Sequence, residues 1–317
     1  MPTYYAALSD RLLVGDGEWT ERLAGHSLRC VAADGRTPDR AFVGTVDAGL
    51  QRTTDGGETW ERVLDAGDRV TSVTVGPHDP EVVWAGTEPS AVYRSTDGGD
   101  SWAACEGLTD LDSASRWSFP PRPQTHHVRW MTVAPDDPDL LYVTVEAGAF
   151  LRSPDGGDTW LDHPGGARRD SHTLAVHPDA PDRVYAAAGD GYALSTDRGE
   201  TWSYPQSGLD HRYVWSVAVH PDDPDTVVVS AARGAWSAHS TSGESYVYRT
   251  TGGEWKRAMD GLPGPEGLAR AELVVDGDGF AALTNRGLFR SSAGTAWERA
   301  GSWADAYDQL PHGLAVV

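Results

Sequence analysis

The sequence predicts an all-β fold: a seven-bladed β-propeller with four-stranded antiparallel blades, its ring closed by the C-terminal strand completing the N-terminal blade. Three observations carry this. A Thr/Ser-x-Asp-x-Gly-x-x-Trp string recurs, seven tryptophans follow one another at near-constant spacing, and each interval holds short apolar runs separated by turn residues. Four short strands in every ~40 residues is the pattern of a propeller blade.

Full copies of the string occupy Thr53–Trp60, Ser95–Trp102, Ser153–Trp160 and Ser195–Trp202, and weaker copies end at Trp19, Trp255 and Trp297. The successive tryptophans lie 41, 42, 58, 42, 53 and 42 residues apart. The unit is therefore close to 42 residues, and the two long intervals hold insertions at 110–125 and 232–245. In the third unit Thr71–Val75, Val82–Gly86 and Ala91–Arg94 read as strands, with a fourth starting at Trp102. The first unit, residues 3–24, opens on Tyr4–Leu8, which matches a second strand and lacks an inner one. Gly313–Val317 matches an inner strand with no blade after it. Pairing the two makes residues 3–24 and 312–317 one blade, makes 1–317 one domain, and removes an open edge.

Within the string each residue has a mechanical task. Asp55, Asp97, Asp155 and Asp197 accept backbone N–H bonds inside the turn. The following glycine supplies positive φ. Trp60, Trp102, Trp160 and Trp202 open the outer strand and pack between sheets. The string resembles the Asp-box (BNR) repeat of sialidases, sortilin-type receptors, xyloglucan hydrolases and a photosystem assembly factor, over nearly the whole chain. That resemblance implies the propeller fold and sets the boxes away from any active site. Those families differ in activity, so function has to be argued from a site. Sialidase activity is not expected, because that family has six blades and an Arg-Ile-Pro motif that this sequence lacks.

Composition narrows the possibilities. Net charge is −21, and Lys256 is the only lysine among 26 basic residues. Such an acidic, lysine-poor surface suits a salt-rich cytoplasm or a GC-rich genome, and it repels phosphate backbones, so no nucleic-acid partner is expected. Residues 1–10 have no secretory pattern and no stretch reaches membrane-span length, so the expectation is a cytoplasmic protein with no membrane partner. Cys30 and Cys105 lie in different repeats and read as buried thiols. There is no Gly-rich phosphate loop and no zinc-type Cys spacing.

The candidate site lies where the inner strands start. Both insertions should emerge on that face, where long loops on a rigid scaffold are often functional. The first contains Arg116-Trp117-Ser118-Phe119-Pro120-Pro121-Arg122, the second Trp236 and His239. The inner-strand starts carry His26, Arg29, Arg69, His126–Trp130, Asp170, His172, His211, Arg212, Trp215, Arg270, Glu272 and His312. Convergent Arg, His and Trp around a concavity suggest a pocket for a polar, anionic or carbohydrate-like small molecule. Arg29, Arg129 and Arg212 would bind its charge, Trp117, Trp130 and Trp215 its flat face, and His127, His172, His312 or Glu272 would serve as acid/base in a hydrolase or lyase. No cofactor is required. One alternative is a metal on the propeller axis, ligated by His127, His172 and His312. Another is a non-catalytic scaffold for a protein partner.

Overall fold

The computed structural model describes residues 2–67, 69–301 and 309–317. Seven antiparallel sheets succeed one another around an axis. The first blade is Pro311–Val316, Tyr4–Leu8, Leu12–Gly15 and Trp19–Arg22, from the centre outward. The inner strands of the other six are Leu28–Ala33, Arg69–Val75, Val128–Val133, Ser171–Ala175, Tyr213–His220 and Glu272–Asp276. Closure takes the expected form: Tyr4 pairs with Val316, Ala6 with Leu314 and Leu8 with Pro311. Thr3 and Val317 exchange both backbone hydrogen bonds at 2.8 and 3.0 Å.

Five blades have four strands, and two deviate. In the fourth and fifth blades the outer strand shrinks to single bridges, Arg152 with Leu161 and Leu194 with Ser203. Pro164 and Pro205 follow within three residues. A proline has no N–H to donate, so the ladder cannot extend past it. Apolar faces interlock from blade to blade. Trp84, Val128 and Val143 share one cluster, and Tyr185, Val217 and Trp255 another. Among the described residues no helix is long and apolar enough to cross a membrane.

The four boxes adopt one geometry. Asp97 Oδ1 accepts from Ser101 N at 2.9 Å and from Ser95 Oγ at 2.7 Å, and Oδ2 accepts from Ser101 Oγ. Asp55, Asp155 and Asp197 repeat this with Thr59, Thr159 and Thr201. Trp60, Trp102 and Trp202 donate Nε1 to the glycine carbonyl three residues earlier, whereas Trp160 donates to Glu106 O of the preceding blade. Gly99 shows why glycine is needed: its φ is +92°, and a Cβ there would lie 2.8 Å from the Phe42 ring of the neighbouring blade. Because strands alternate in direction, turns between third and fourth strands all fall on the face opposite the inner-strand starts.

Closure and the boxes can each be tested. Deleting residues 313–317 leaves Tyr4–Leu8 without its inner partner, an exposed edge that recruits other chains. The truncated chain is expected to elute as aggregate in size-exclusion chromatography, and an unchanged monomer peak and melting curve would contradict the closure. The box carboxylates respond to acid. Hydrogen bonds from Thr59, Ser101 and Thr201 lower the pKa values of Asp55, Asp97 and Asp197 to about 2. A depressed folded-state pKa means stability that is present above pH ~4 and is lost as the pH falls towards 2. Asp97→Asn should therefore lower the melting midpoint at pH 7, and its deficit should shrink between pH 4 and 2.

Candidate functional site

The inner strands share an irregularity that decides where their side chains point. Five contain a β-bulge one or two residues after their start, and the residues skipped by the pairing register are Arg29, Thr71, Arg129, His172 and Trp215. A bulge re-aims the extra residue out of the ladder. Arg29, Thr71, Arg129 and Trp215 all line one cavity of about 190 Å³ at the mouth of the channel. His172 lies beside it, against Trp215 and Tyr213, with ring centroids 4.7 and 4.9 Å away.

Loops on the same face complete the walls. The turn Phe119-Pro120-Pro121-Arg122 of the first insertion is closed by Arg122 N donating to Phe119 O at 2.8 Å. It brings both end side chains to the cavity: Phe119 meets the His127 ring edge-on at 4.7 Å, and Arg122 forms a two-pronged ion pair with Glu88 at 2.6 and 2.7 Å. The short helix Ala235–Ala238 of the second insertion delivers His239, which stands edge-on to Trp215 at 4.6 Å with Nε2 3.1 Å from the Tyr213 hydroxyl. His312, from the closing strand, lies against both the cavity and the narrower channel below it.

The site is cationic inside an acidic protein. Arg29, Arg122, Arg129 and Arg270 face two carboxylates, Glu88 and Glu146. Glu88 is taken by Arg122. Glu146 accepts from His127 Nε2 at 3.0 Å and lies 3.6 Å from Arg129 Nε. Arg270 has no carboxylate within ion-pair distance among the described residues. It is 2% exposed, and its Nε and Nη1 are buried without hydrogen-bond acceptors, as is Arg129 Nε. Both guanidiniums lie over the Trp215 ring, at 4.1 and 4.5 Å, and the π face offsets part of their desolvation. Burial, despite the Glu272 charge, lowers the Arg270 pKa to about 10, and burial with neighbouring arginines lowers that of Arg29. Burial and the charges of Arg270, Arg29 and Arg129 drive His312 well below its ordinary value, so it is neutral at pH 7. Desolvation against Trp215 and the Arg270 charge lower His239 likewise, although the residue keeps an exposed outer edge. Burial alone would raise Glu146, but the His127 hydrogen bond and the His127, His172 and Arg129 charges hold it below the usual carboxylate range.

Of the residues singled out from sequence, Arg29, His127, Arg129, Trp215 and His312 meet in the cavity. Trp130 and Glu272 line the channel beneath, and Glu272 accepts from Trp215 Nε1 at 2.8 Å. Others, Arg212 and Trp117 among them, are placed elsewhere. Arg212 is exposed and outside the cavity, whereas its neighbour His211 is buried with its Nδ1 2.6 Å from the Tyr248 hydroxyl. Trp117 offers no flat face to the cavity: it is buried in the core of the third and fourth blades, its Nε1 donating to Ser113 Oγ at 3.0 Å. Trp215 is not an open stacking platform either, since two guanidiniums cover it and it is 4% exposed. Among the described residues His127, His172 and His312 do not gather as metal ligands. Sequence reasoning missed Glu146 and Glu88, which sit at the ends of second strands; a carboxylate beside the hairpin on the inner-strand-start face was the available signal.

Comparison with known proteins supports the architecture. A family model for the BNR/Asp-box repeat matches residues 51–62. No curated protein matches the sequence. Among solved structures, the GH74 enzyme of Niastella koreensis aligns over 97% of this chain and 52% of its own, with TM-score 0.69 and 16% identity. The GH74 xyloglucanase of Xanthomonas campestris covers 98% and 52%, with TM-score 0.67 and 18% identity. YCF48 from Cyanidioschyzon merolae covers 89% and 88%, with TM-score 0.63 and 18% identity. The chain spans 38% to 52% of the length of the GH74 enzymes it resembles. At these identities the likeness is one of fold.

The unpaired arginine generates a test. Replacing buried ionic groups by well-packed apolar residues of similar volume is often neutral or stabilising by ~1–4 kcal/mol. Arg270→Met is expected to raise the ligand-free melting midpoint by a few degrees, at roughly 2 °C per kcal/mol for a large domain. A lower midpoint in calorimetry would mean that the ring depends on Arg270 for its own stability.

Proposed function

We propose that this Asp-box propeller binds a small anionic molecule at the mouth of its channel, with Arg129 and Arg270 as the charge-recognising pair. The observation that supports the reading is the buried guanidinium of Arg270, with two nitrogens lacking acceptors beside an open cavity. A buried cation without a partner is costly, and a fold gains nothing from it unless a ligand supplies the missing charge. The planar guanidinium fork matches a carboxylate. The volume is below the ~300–1,000 Å³ that drug-sized ligands occupy, so the ligand is a small acid, a single uronate-like ring at most. The neutral imidazoles of His239 and His312 add hydrogen bonds without repelling the arginines. Should the site be catalytic, as in a hydrolase or lyase acting on a sugar acid, the His127–Glu146 pair is the acid–base couple within reach, the carboxylate orienting the imidazole.

A second reading has its own support. One neighbour of similar size is YCF48, structures of which include one bound to D1 peptide. Trp236, on the second insertion close to His239, is 73% exposed. In that reading the cavity takes an acidic group of a protein partner and Trp236 packs against the partner's surface.

Thermal-shift titrations with glucuronate, galacturonate, acetate and sulfate, and with glucose as neutral control, separate these possibilities. A uronate at one hundred times its Kd should stabilise by ~2.7 kcal/mol, an effect absent in Arg270→Met. If no anion outperforms sodium chloride of equal ionic strength, small-acid binding is wrong. Unchanged stabilisation in Arg270→Met would place the site elsewhere.

A further inference from the structure

Beside the anion cavity, and sharing Glu146 with it, lies a second group of polar atoms. One ligand atom each from Glu146, Asp170 and His172 lies within 4.8 Å of the others. Carboxylates that meet by chance on an acidic surface are commonplace, but His172 is different in kind. Its side chain is wholly buried. Its Nδ1 donates to Val214 O at 2.7 Å, which puts the proton of the neutral ring on Nδ1 and the lone pair on Nε2. Nε2 is buried with no hydrogen-bond partner, and it faces Asp170 Oδ2 at 3.7 Å. A ring held by a backbone carbonyl through one nitrogen, its other lone pair aimed at carboxylates, is the usual posture of a metal-bound histidine.

The carboxylates are held in the same manner. Asp170 Oδ1 accepts from Ala147 N at 3.0 Å, which leaves Oδ2 towards His172. Ala147 has φ +52°, a left-handed conformation that a non-glycine residue adopts only when its surroundings enforce it. This turn carries Glu146 and presents the N–H to Asp170. Gly189 makes the space: a Cβ there would lie 2.1 Å from Asp170 Oδ2. Glu146 is steadied by His127 Nε2 at 3.0 Å, so each of the three groups has a separate orienting partner.

We propose that His172 Nε2, Asp170 Oδ2 and a carboxylate oxygen of Glu146 bind one divalent transition metal of the zinc or manganese type. One imidazole with two carboxylates is a borderline donor set, which favours these ions over calcium. Ligand bonds of ~2.0–2.2 Å require the three atoms to draw together slightly. Three protein ligands leave a coordination position free, and because Glu146 also lines the anion cavity, that position opens towards it. Arg129, 3.6 Å from Glu146, opposes a cation there and tempers the affinity.

The test needs no organic ligand, so its outcome is separate from that of anion binding. The full chain, stripped with chelator and desalted into 0.5 M sodium chloride to screen surface carboxylates, is titrated calorimetrically with Zn²⁺ and then with Ca²⁺. The expected result is one Zn²⁺ per chain, bound at least tenfold tighter than Ca²⁺. Asp170→Asn should weaken Zn²⁺ at least tenfold while circular dichroism stays unchanged, and the exposed Arg212→Ala should leave it as it was. If Asp170→Asn does not fold, zinc X-ray absorption on the unmodified chain decides, with one nitrogen and at least two oxygen neighbours expected. Absence of Zn²⁺ binding, equal affinity for Ca²⁺, equal binding by Asp170→Asn, or an all-oxygen shell would each overturn the site.

Discussion

The pairing of Pro311–Val316 with Tyr4–Leu8 is the constraint on which the rest of the ring depends. Inner strands approach one another only because the last turn of the circle is hydrogen-bonded shut. That proximity brings residues as distant in sequence as Arg29, Arg129, Arg270 and His312 to one concavity. Three arginines and a histidine would separate if the ring opened, since their mutual repulsion favours distance. Closure therefore acts as a clamp that holds like charges together, and the cost is spread over seven interlocked blades. His312 belongs to the closing strand itself, so the same segment completes the scaffold and contributes to the site.

Charge is distributed in two opposed fields. The exterior is rich in Asp and Glu, many paired with arginines that tie neighbouring blades, as Arg198 does with Asp136 and Asp182. The channel mouth has the reverse balance, with cations outnumbering carboxylates. An anion approaching the acidic surface is repelled at long range unless salt screens it, and is attracted only once inside the mouth. High salt thus lowers the entry barrier more than it weakens a buried Arg–carboxylate contact, which is screened less.

Repetition of a bulge gives the ring a way to vary its site while keeping its fold. In each affected inner strand the register recovers at once, and strands continue to pack with small and β-branched residues such as Val31, Val73 and Thr173 facing the lower channel. The skipped residue is free of pairing duties and differs from blade to blade: arginine, threonine, arginine, histidine, tryptophan. Where it is threonine, Thr71 Oγ1 donates to Val128 O of the next blade at 2.7 Å, and His172 makes the equivalent bond to Val214 O. The position can serve either as an inter-blade tie or as a ligand group.

Blade number, closure, the hydrogen-bonding task of the Asp boxes and the face on which the cavity opens were all legible in the sequence. Each derives from local repetition: a 42-residue period, turn residues at fixed offsets, and the alternating direction of antiparallel strands. The convergence of Arg29, His127, Arg129, Trp215 and His312 was legible as a cluster for the same reason, since equivalent positions in a ring must meet. Which neighbour of a pair points inward was not. One extra residue in a strand reverses the facing of every residue after it, and nothing in the string Val128-Arg129-Trp130 or Val214-Trp215-Ser216 marks where a bulge lies. Nor did the sequence show that Trp117 belongs to the core, that Arg122 takes Glu88, or that Glu146 pairs with His127 near His172. Those pairings span blades or loops, and they are set by distances that exist only after the ring has closed.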